Sequence, residues 1–140
     1  MFADSFKKLA KTNTNFRQVL YTGQYSQVVA MSIPAGDDIG EEVHPTNDQI
    51  FVIATGSGEA VVGDETRQVG KKDIVFVPAG TLHNVKNIGD EALKLITIYS
   101  PPAHPDGTVE ATKDDAKSEA TIQSANEANT QPVITGTTTG

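Results

Sequence analysis

Two stretches of this chain decide its fold: GDDIGEEVHPTNDQIFVIATG at residues 36–56 and KDIVFVPAGTLHNVKN at residues 72–87. Each contains an apolar run rich in Val, Ile and Phe, which are residues that favour β-strands. Each also contains Gly and Pro, which favour turns, and one of the three histidines of the chain. The two stretches therefore predict strands and tight turns that carry histidines.

Short apolar runs continue on both sides of these stretches, separated by Gly, Pro and Asp. No stretch between residues 16 and 99 keeps a helical apolar period over three turns. The spacing predicts an all-β fold, an antiparallel sandwich or barrel. The predicted strands are Arg17–Tyr21, Gln27–Ile33, Gln49–Ala54, Glu59–Val62, Thr66–Val69, Ile74–Val77, Leu82–Asn87 and Leu93–Tyr99.

The chain divides into three parts: an N-terminal arm at 1–15, a barrel at 16–103 and a polar, acidic tail at 104–140. The arm could form a short helix capped by Asp4 or Ser5, or could pair with a neighbouring subunit. From residue 101 onward two lysines stand against six acidic residues, and large apolar side chains are rare. We predict that this tail is disordered, with a transient helix over Ala111–Ala128 as a minor alternative.

Composition excludes several classes of function. A length of 140 residues suits a single domain, and a formal charge of −7 disfavours binding to nucleic acid or to anionic membranes. The absence of cysteine removes disulfides, thiolate metal sites and cysteine nucleophiles. With neither a long apolar segment nor a secretory signal pattern, the sequence predicts a soluble, cytoplasmic protein.

Four polar side chains could converge inside the barrel. Residues two apart in a strand share a face, so Glu42 and His44 would point to the same side, about 7 Å apart along the strand. Gln49 would begin the next strand, and His83 would begin a later one after the tight turn at Pro78–Gly80. Two imidazoles, a carboxylate and an amide oxygen suit one divalent ion of Fe, Mn, Co, Ni or Zn.

At these residues the chain resembles the cupin superfamily, and specifically the small single-domain bacterial cupins often labelled mannose-6-phosphate-isomerase-like. The resemblance covers roughly residues 15–100 and implies a double-stranded β-helix, or jelly-roll barrel, around one metal ion. The positions in register with the two cupin motifs are Gly36, His44 and Gly56 in the first and Pro78, Gly80, His83 and Asn87 in the second.

Three positions depart from the family pattern. Glu42 stands where a histidine is usual, Gln49 where glutamate is usual, and Lys72 where the second motif opens with glycine. The first two exchanges keep one negative charge in the site and move it to another corner. The resulting set of two histidines, one carboxylate and an amide resembles the two-His-one-carboxylate sites of non-haem iron.

Several roles in the site stay open. Gln49 could bind the metal or hydrogen-bond His44 or a bound water, and Asp48 is a weaker substitute for it. His104, close to Asp106 after the last predicted strand, could belong to a turn that closes the barrel or support the site. Tyr99 could offer a hydroxyl or simply pack.

The functional hypotheses are a metalloenzyme, a non-catalytic module and a metal-free structural barrel. The enzyme would act on a small polar molecule, either as a dioxygenase or as an isomerase or lyase, and the module would bind a small ligand or metal. An isomerase needs a proton-transfer residue, for which the candidates are His104, Tyr99, Glu41 and Glu42. The metal-free barrel would require the four site residues to satisfy one another. We also predict a homodimer formed through a sheet edge.

Overall fold

The computed structural model describes residues 1–117 of the chain. Within this range one helix precedes nine strands, and a helical segment begins at residue 113. The elements are α1 (Phe6–Thr12), β1 (Arg17–Thr22), β2 (Gln27–Ile33), β3 (Asp48–Thr55), β4 (Ser57–Val62), β5 (Glu65–Gly70), β6 (Ile74–Val77), β7 (His83–Asn87), β8 (Leu93–Ser100) and β9 (Val109–Glu110). All eight predicted strands are present, with bounds that differ by at most two residues.

The strands form two sheets whose ladders are antiparallel. One has six strands in the order β6-β3-β8-β2-β1-β9, and the other has three in the order β5-β4-β7. The prediction of an antiparallel all-β fold is therefore confirmed. Apolar side chains from both sheets form one core: Phe16, Val19, Val29, Met31, Ile33, Ile39, Phe51, Ile53, Val77, Val85, Leu93, Leu95 and Tyr99.

Gly56 makes the sharp turn between β3 and β4 possible. Its φ of +96° lies in the left-handed region that glycine tolerates. A Cβ at this position would lie 2.9 Å from both the carbonyl oxygen of Ala92 and the Cα of Leu93. The chain can therefore pass from one sheet to the other only with a residue that lacks a side chain.

The N-terminal arm forms the helix that the sequence allowed. The hydroxyl of Ser5 caps it by accepting a hydrogen bond from the backbone N–H of Lys8 at 3.2 Å. Ala10 is fully buried against Ala30 and Ala54, so the helix packs on the outer face of the six-stranded sheet. Within the described part of the chain, no helix is both long and apolar enough to span a membrane.

The first part of the predicted tail is packed on the barrel. β9 pairs with β1, with Arg17 opposite Glu110, and beyond it the side chain of Lys113 forms ion pairs with Asp37 and Asp38. The prediction of a disordered tail from residue 104 thus differs from the structure as far as residue 117, because buried polar pairing replaces the apolar burial that this segment lacks. The rest of the tail, and most of the Ala111–Ala128 helix, lies outside the described residues.

Candidate metal centre

Backbone hydrogen bonds join the two stretches that carry the candidate ligands. The N–H of Glu42 donates to the carbonyl of His83, and the N–H of His83 donates to the carbonyl of Glu42, both at 3.0 Å. The N–H of Gly80 donates to the carbonyl of His44 at 2.9 Å. The turn before β7 is thereby fixed to the segment that holds Glu42 and His44.

The structure brings Glu42, His44 and His83 together. One ligand atom from each lies within 4.8 Å of those of the other two. His44 Nε2 is 3.5 Å from Glu42 Oε1, and the imidazole centroids of His44 and His83 are 5.4 Å apart. His44 and His83 are buried, whereas the side chain of Glu42 is 32% exposed. These positions agree with the predicted convergence of the three side chains.

Gln49 lies beside this group and is buried at the start of β3. Its Nε2 donates to Thr97 Oγ1 at 3.0 Å, which turns its Oε1 toward His83 Nε2, also at 3.0 Å. The amide therefore contacts His83, and not His44 as one of the sequence alternatives had it. A separation of about 3.0 Å is also what two ligands at right angles around one ion need, with bonds of about 2.1 Å.

The unmet hydrogen-bonding capacity of the site fits a cation. His83 Nδ1 lies 3.0 Å from the carbonyl of Thr81, which can only accept, so this contact favours the neutral tautomer with its proton on Nδ1 and a lone pair on Nε2. That lone pair faces the Gln49 oxygen, which is also an acceptor. Within residues 1–117, Glu42 Oε1 and both ring nitrogens of His44 are buried without a hydrogen-bond partner. A metal ion would satisfy one nitrogen of His44, Glu42 Oε1 and the lone pair of His83 together.

Electrostatics keep the candidate ligands in the protonation states that bind metals. Burial alone would raise the pKa of Glu42, but His44 and the charge of Arg17 outweigh it, and the pKa is lowered. Burial lowers the pKa of His83. At neutral pH the site therefore offers one carboxylate and a neutral imidazole from His83, as metal binding requires.

The other candidates from the sequence do not belong to the group of three ligands. Asp48 Oδ1 accepts a hydrogen bond from the N–H of Ala79 at 2.9 Å, and Glu41 is exposed. Tyr99 is fully buried, with its ring 5.4 Å from that of His44 and 5.1 Å from that of His104. Tyr99 and His104 thus extend the polar interior away from the three ligands.

A cavity of about 320 Å³ lies next to the group. Its lining includes Glu42 and His104 together with two residues that the sequence reasoning missed, Arg17 and Glu110. These two form a buried ion pair, with Arg17 Nη1 2.6 Å from Glu110 Oε1. A signal for Arg17 exists in the sequence, because it shares the inward face of β1 with Val19, and a charge at such a position is unusual.

Gln27 is another residue that the sequence reasoning missed, and it positions His104. It is fully buried at the start of β2, and its Oε1 accepts from the N–H groups of Ala103 and His104 at 3.2 and 3.1 Å. Its Nε2 donates to the carbonyl of His104 at 2.8 Å. The side-chain amide of Gln27 makes hydrogen bonds to this backbone of the kind that a neighbouring strand would make. It thereby holds the chain after β8 against the barrel.

Comparison with known proteins identifies the architecture. The profile of the family described as the cupin domain matches residues 29–99. The Bacillus subtilis (strain 168) protein YrkC is 44% identical over 121 residues, which make up 82% of this chain and 65% of YrkC. This chain therefore spans less than two thirds of the length of that relative.

Solved structures give the same assignment. The crystal structure of BH2720 from Bacillus halodurans matches with a TM-score of 0.82 and 41% identity, covering 84% of this chain and 93% of that one. A predicted oxalate decarboxylase from Thermotoga maritima matches with a TM-score of 0.53 and 20% identity, over 56% of this chain and 69% of its own. The second likeness is one of fold alone. Together with the sheets, these matches confirm the predicted double-stranded β-helix.

Proposed function

This chain belongs to the cupin family, and on that premise we propose that Glu42, His44 and His83, with Gln49 beside them, hold one divalent metal ion at which a small polar molecule binds and reacts. The candidate ions are Fe, Mn, Co, Ni and Zn. A bound ion of this kind would supply Lewis-acid or redox chemistry at coordination positions left open by the protein.

One observation carries the proposal: polar atoms of the site are buried without protein partners. In a metal-free structural barrel the four side chains would satisfy one another, because an unpaired buried polar atom costs about 1–3 kcal/mol. Here the described residues leave the ring nitrogens of His44 without a hydrogen bond, the approach of Glu42 Oε1 to His44 Nε2 is 3.5 Å, and Gln49 turns its Oε1 toward His83 Nε2. Without a bound cation this arrangement destabilises the folded chain, and a bound cation would remove that cost. The arrangement therefore supports a metal site.

Among the enzymatic alternatives, the residues around the site favour a dioxygenase over an isomerase. Burial lowers the pKa of His104 to about 3 and raises that of Tyr99 to about 12. A general acid or base works best with a pKa near the working pH, so both groups are poorly suited to proton transfer. Of the candidates that do not bind the metal, only Glu41 remains, and it is exposed at the mouth of the cavity.

Metal analysis of the purified protein tests the proposal first. We expect about one equivalent of metal per chain after supplementation with Fe, Mn, Co, Ni or Zn in turn, and loss of that metal in His83→Ala. His104→Ala is the matched control, because it removes a histidine outside the ligand group and should retain the ion. A wild-type protein that binds none of the five metals would refute the site.

Oxygen uptake then separates the enzyme from the non-catalytic module. The Fe(II) protein, mixed with a panel of small hydroxy- and keto-compounds, should consume oxygen in a substrate-dependent way if it is a dioxygenase. Metal binding with no uptake across the panel would favour the module.

The homodimer stays part of the proposal, and edge strand β6 supports it. β6 pairs only with β3 among the described strands, and its Ile74 and Phe76 are 67% and 54% exposed. An unpaired edge with outward apolar side chains favours association with a second copy.

Light scattering after size exclusion should give twice the 14.8 kDa chain mass, and Phe76→Lys should shift the measured mass toward that of the monomer. A wild-type mass equal to one chain would contradict the dimer.

A further inference from the structure

The cavity beside the metal group is lined by a buried cation that is not one of the candidate ligands. Arg17 is only 4% exposed, and its Nη1 forms an ion pair with the carboxylate of Glu110. A guanidinium has five N–H donors, and within residues 1–117 the Arg17 Nε is buried without a partner. The side chain therefore has a donor to offer inside the cavity.

Other unpartnered polar atoms surround this donor. In the described range they include the hydroxyl of Tyr99 and the Nε2 of His104, both buried. Tyr99 connects the two regions, since its ring stacks edge-on against His44 on one side and His104 on the other. Arg17 lies close enough to Glu42 for its charge to lower the pKa of that carboxyl against the larger effect of burial. Arg17, His104 and the candidate ligand Glu42 thus line one cavity.

The charges in this space define what would fill it. Of the charged residues that line the cavity, Lys113 pairs with Asp37 and Asp38, and Glu41 and Lys117 are exposed, where water screens their charges. Among the buried charges Arg17 and Glu110 cancel each other, and a divalent ion would carry one more positive charge than Glu42 neutralises. Burying an unbalanced charge is costly, so the complete site favours a ligand with a single negative charge. A neutral sugar would leave the excess uncompensated, and a phosphate dianion would exceed it.

We propose that the cavity binds the carboxylate of a small monocarboxylic acid, which bridges the metal position and the Arg17 guanidinium. Carboxylate oxygens accept charge-assisted hydrogen bonds from arginine, and Arg17 lines the cavity together with Glu42. A volume of about 320 Å³ holds a small organic acid, and the apolar walls at Phe16 and Ile39 accommodate its carbon skeleton. This inference rests on the proposed metal site and names the class of its substrate.

The test measures binding to the cobalt-loaded protein, whose visible absorption changes when an anion coordinates. The probes are acetate, lactate and benzoate, each compared with its neutral amide. We expect saturable spectral changes with at least one acid and at least tenfold weaker binding of the matching amide. Equal binding of acids and amides would overturn the proposal, as would no response to any of the acids.

Variants assign the donor. Arg17→Gln combined with Glu110→Gln removes the guanidinium without leaving an unpaired buried charge, and it should weaken carboxylate binding by about 10- to 100-fold while cobalt stays stoichiometric. Arg67→Gln, which removes an exposed arginine paired with Glu65, should change nothing.

The outcomes separate the two proposals. A wild-type protein that fails to bind cobalt refutes the metal site, and this inference with it. Stoichiometric cobalt with unchanged carboxylate affinity in the Arg17/Glu110 double variant refutes the carboxylate site alone.

Discussion

Lys72 adopts a backbone conformation that suits glycine. Its φ is +77°, and it stands where the second cupin motif usually has glycine. A residue with a side chain is strained in this region by about 1–3 kcal/mol. Glycine relieves that strain, but it also makes the unfolded chain more flexible, which cancels part of the gain in stability. Lys72→Gly should therefore raise the free energy of unfolding by up to about 1 kcal/mol in urea denaturation.

The neighbouring lysine provides the control for this prediction. Lys71 is exposed like Lys72, but its φ is not positive. Lys71→Gly should lower the free energy of unfolding by about 0.5–1 kcal/mol, because glycine then adds only entropy to the unfolded chain. The same sign for both substitutions would contradict the explanation.

Gln49 should tune the metal site without being essential to it. Its amide oxygen faces His83 Nε2, and its nitrogen is held by Thr97, so removing the side chain loses one weak ligand or one orienting contact. We expect Gln49→Ala to weaken metal affinity by about 10- to 100-fold, as for groups that orient metal ligands. His44→Ala, measured beside it in a competition titration with a chelator, should lose far more. Equal losses of metal affinity in the two variants would show that Gln49 contributes as much to metal binding as His44 does.

At the scale of elements, β9 is attached to the barrel through a buried charge. Glu110→Gln would leave Arg17 buried without its counter-charge and should cost about 3–5 kcal/mol of unfolding free energy. The double variant with Arg17→Gln should recover part of this loss, because no charge is then left unpaired.

An exposed ion pair provides the control for the stability cost predicted for Glu110→Gln. Arg67 and Glu65 lie 3.7 Å apart with side chains 79% and 71% exposed, and Glu65→Gln should cost less than about 1 kcal/mol. If Glu110→Gln were as mild as Glu65→Gln in urea unfolding, the pair with Arg17 would not anchor β9.

The strands that carry a local signal were predictable from the sequence, and β9 was not. Short apolar runs bounded by turn residues located β2 and β6 with their observed bounds. β9 has two residues, an exposed Val109 and a buried Glu110, so its pattern is the reverse of the usual one. Its position depends on a partner 93 residues away in the chain, which no local pattern encodes.

The residues of the candidate site also divide into those with a local signal in the sequence and those without one. Family motifs pointed to His44 and His83, and the alternation of strand faces pointed to Glu42, all of which the structure brings together. Arg17 and Gln27 escaped notice because each is a polar residue at an inward position whose partners lie on distant segments. Polar residues at inward strand positions were the available signal for both.

For the whole molecule, stability should fall in acid partly because of His104. Burial lowers its pKa from 6.5 to about 3, so between these values the unfolded chain binds a proton that the folded chain does not. Stability therefore decreases as pH falls through this window, by at most about 1.4 kcal/mol per pH unit from this group. Metal-free protein should show this slope in denaturation curves from pH 7 to pH 4.

The His104→Gln variant isolates that contribution. Protonation of carboxylates such as Glu42 also lowers the free energy of unfolding in acid, but it does so equally in the wild type and the variant. The two stability curves should run in parallel above pH 7.5 and diverge below about pH 6.5, with the wild type falling more steeply. Curves that stay parallel to pH 4 would show that His104 takes up its proton in the folded state.

The reciprocal backbone bonds between Glu42 and His83 have a consequence for how such sites change over evolution. Main-chain atoms position these two corners of the site, so a side chain can be exchanged there without moving the scaffold. A carboxylate can thus replace an imidazole at residue 42 without moving the backbone, and pairing with Val77 and Tyr99 fixes the backbone of residue 49 in the same way for an amide in place of a carboxylate. One barrel can in this way sample different ligand chemistries, and with them different metals, through point mutations alone.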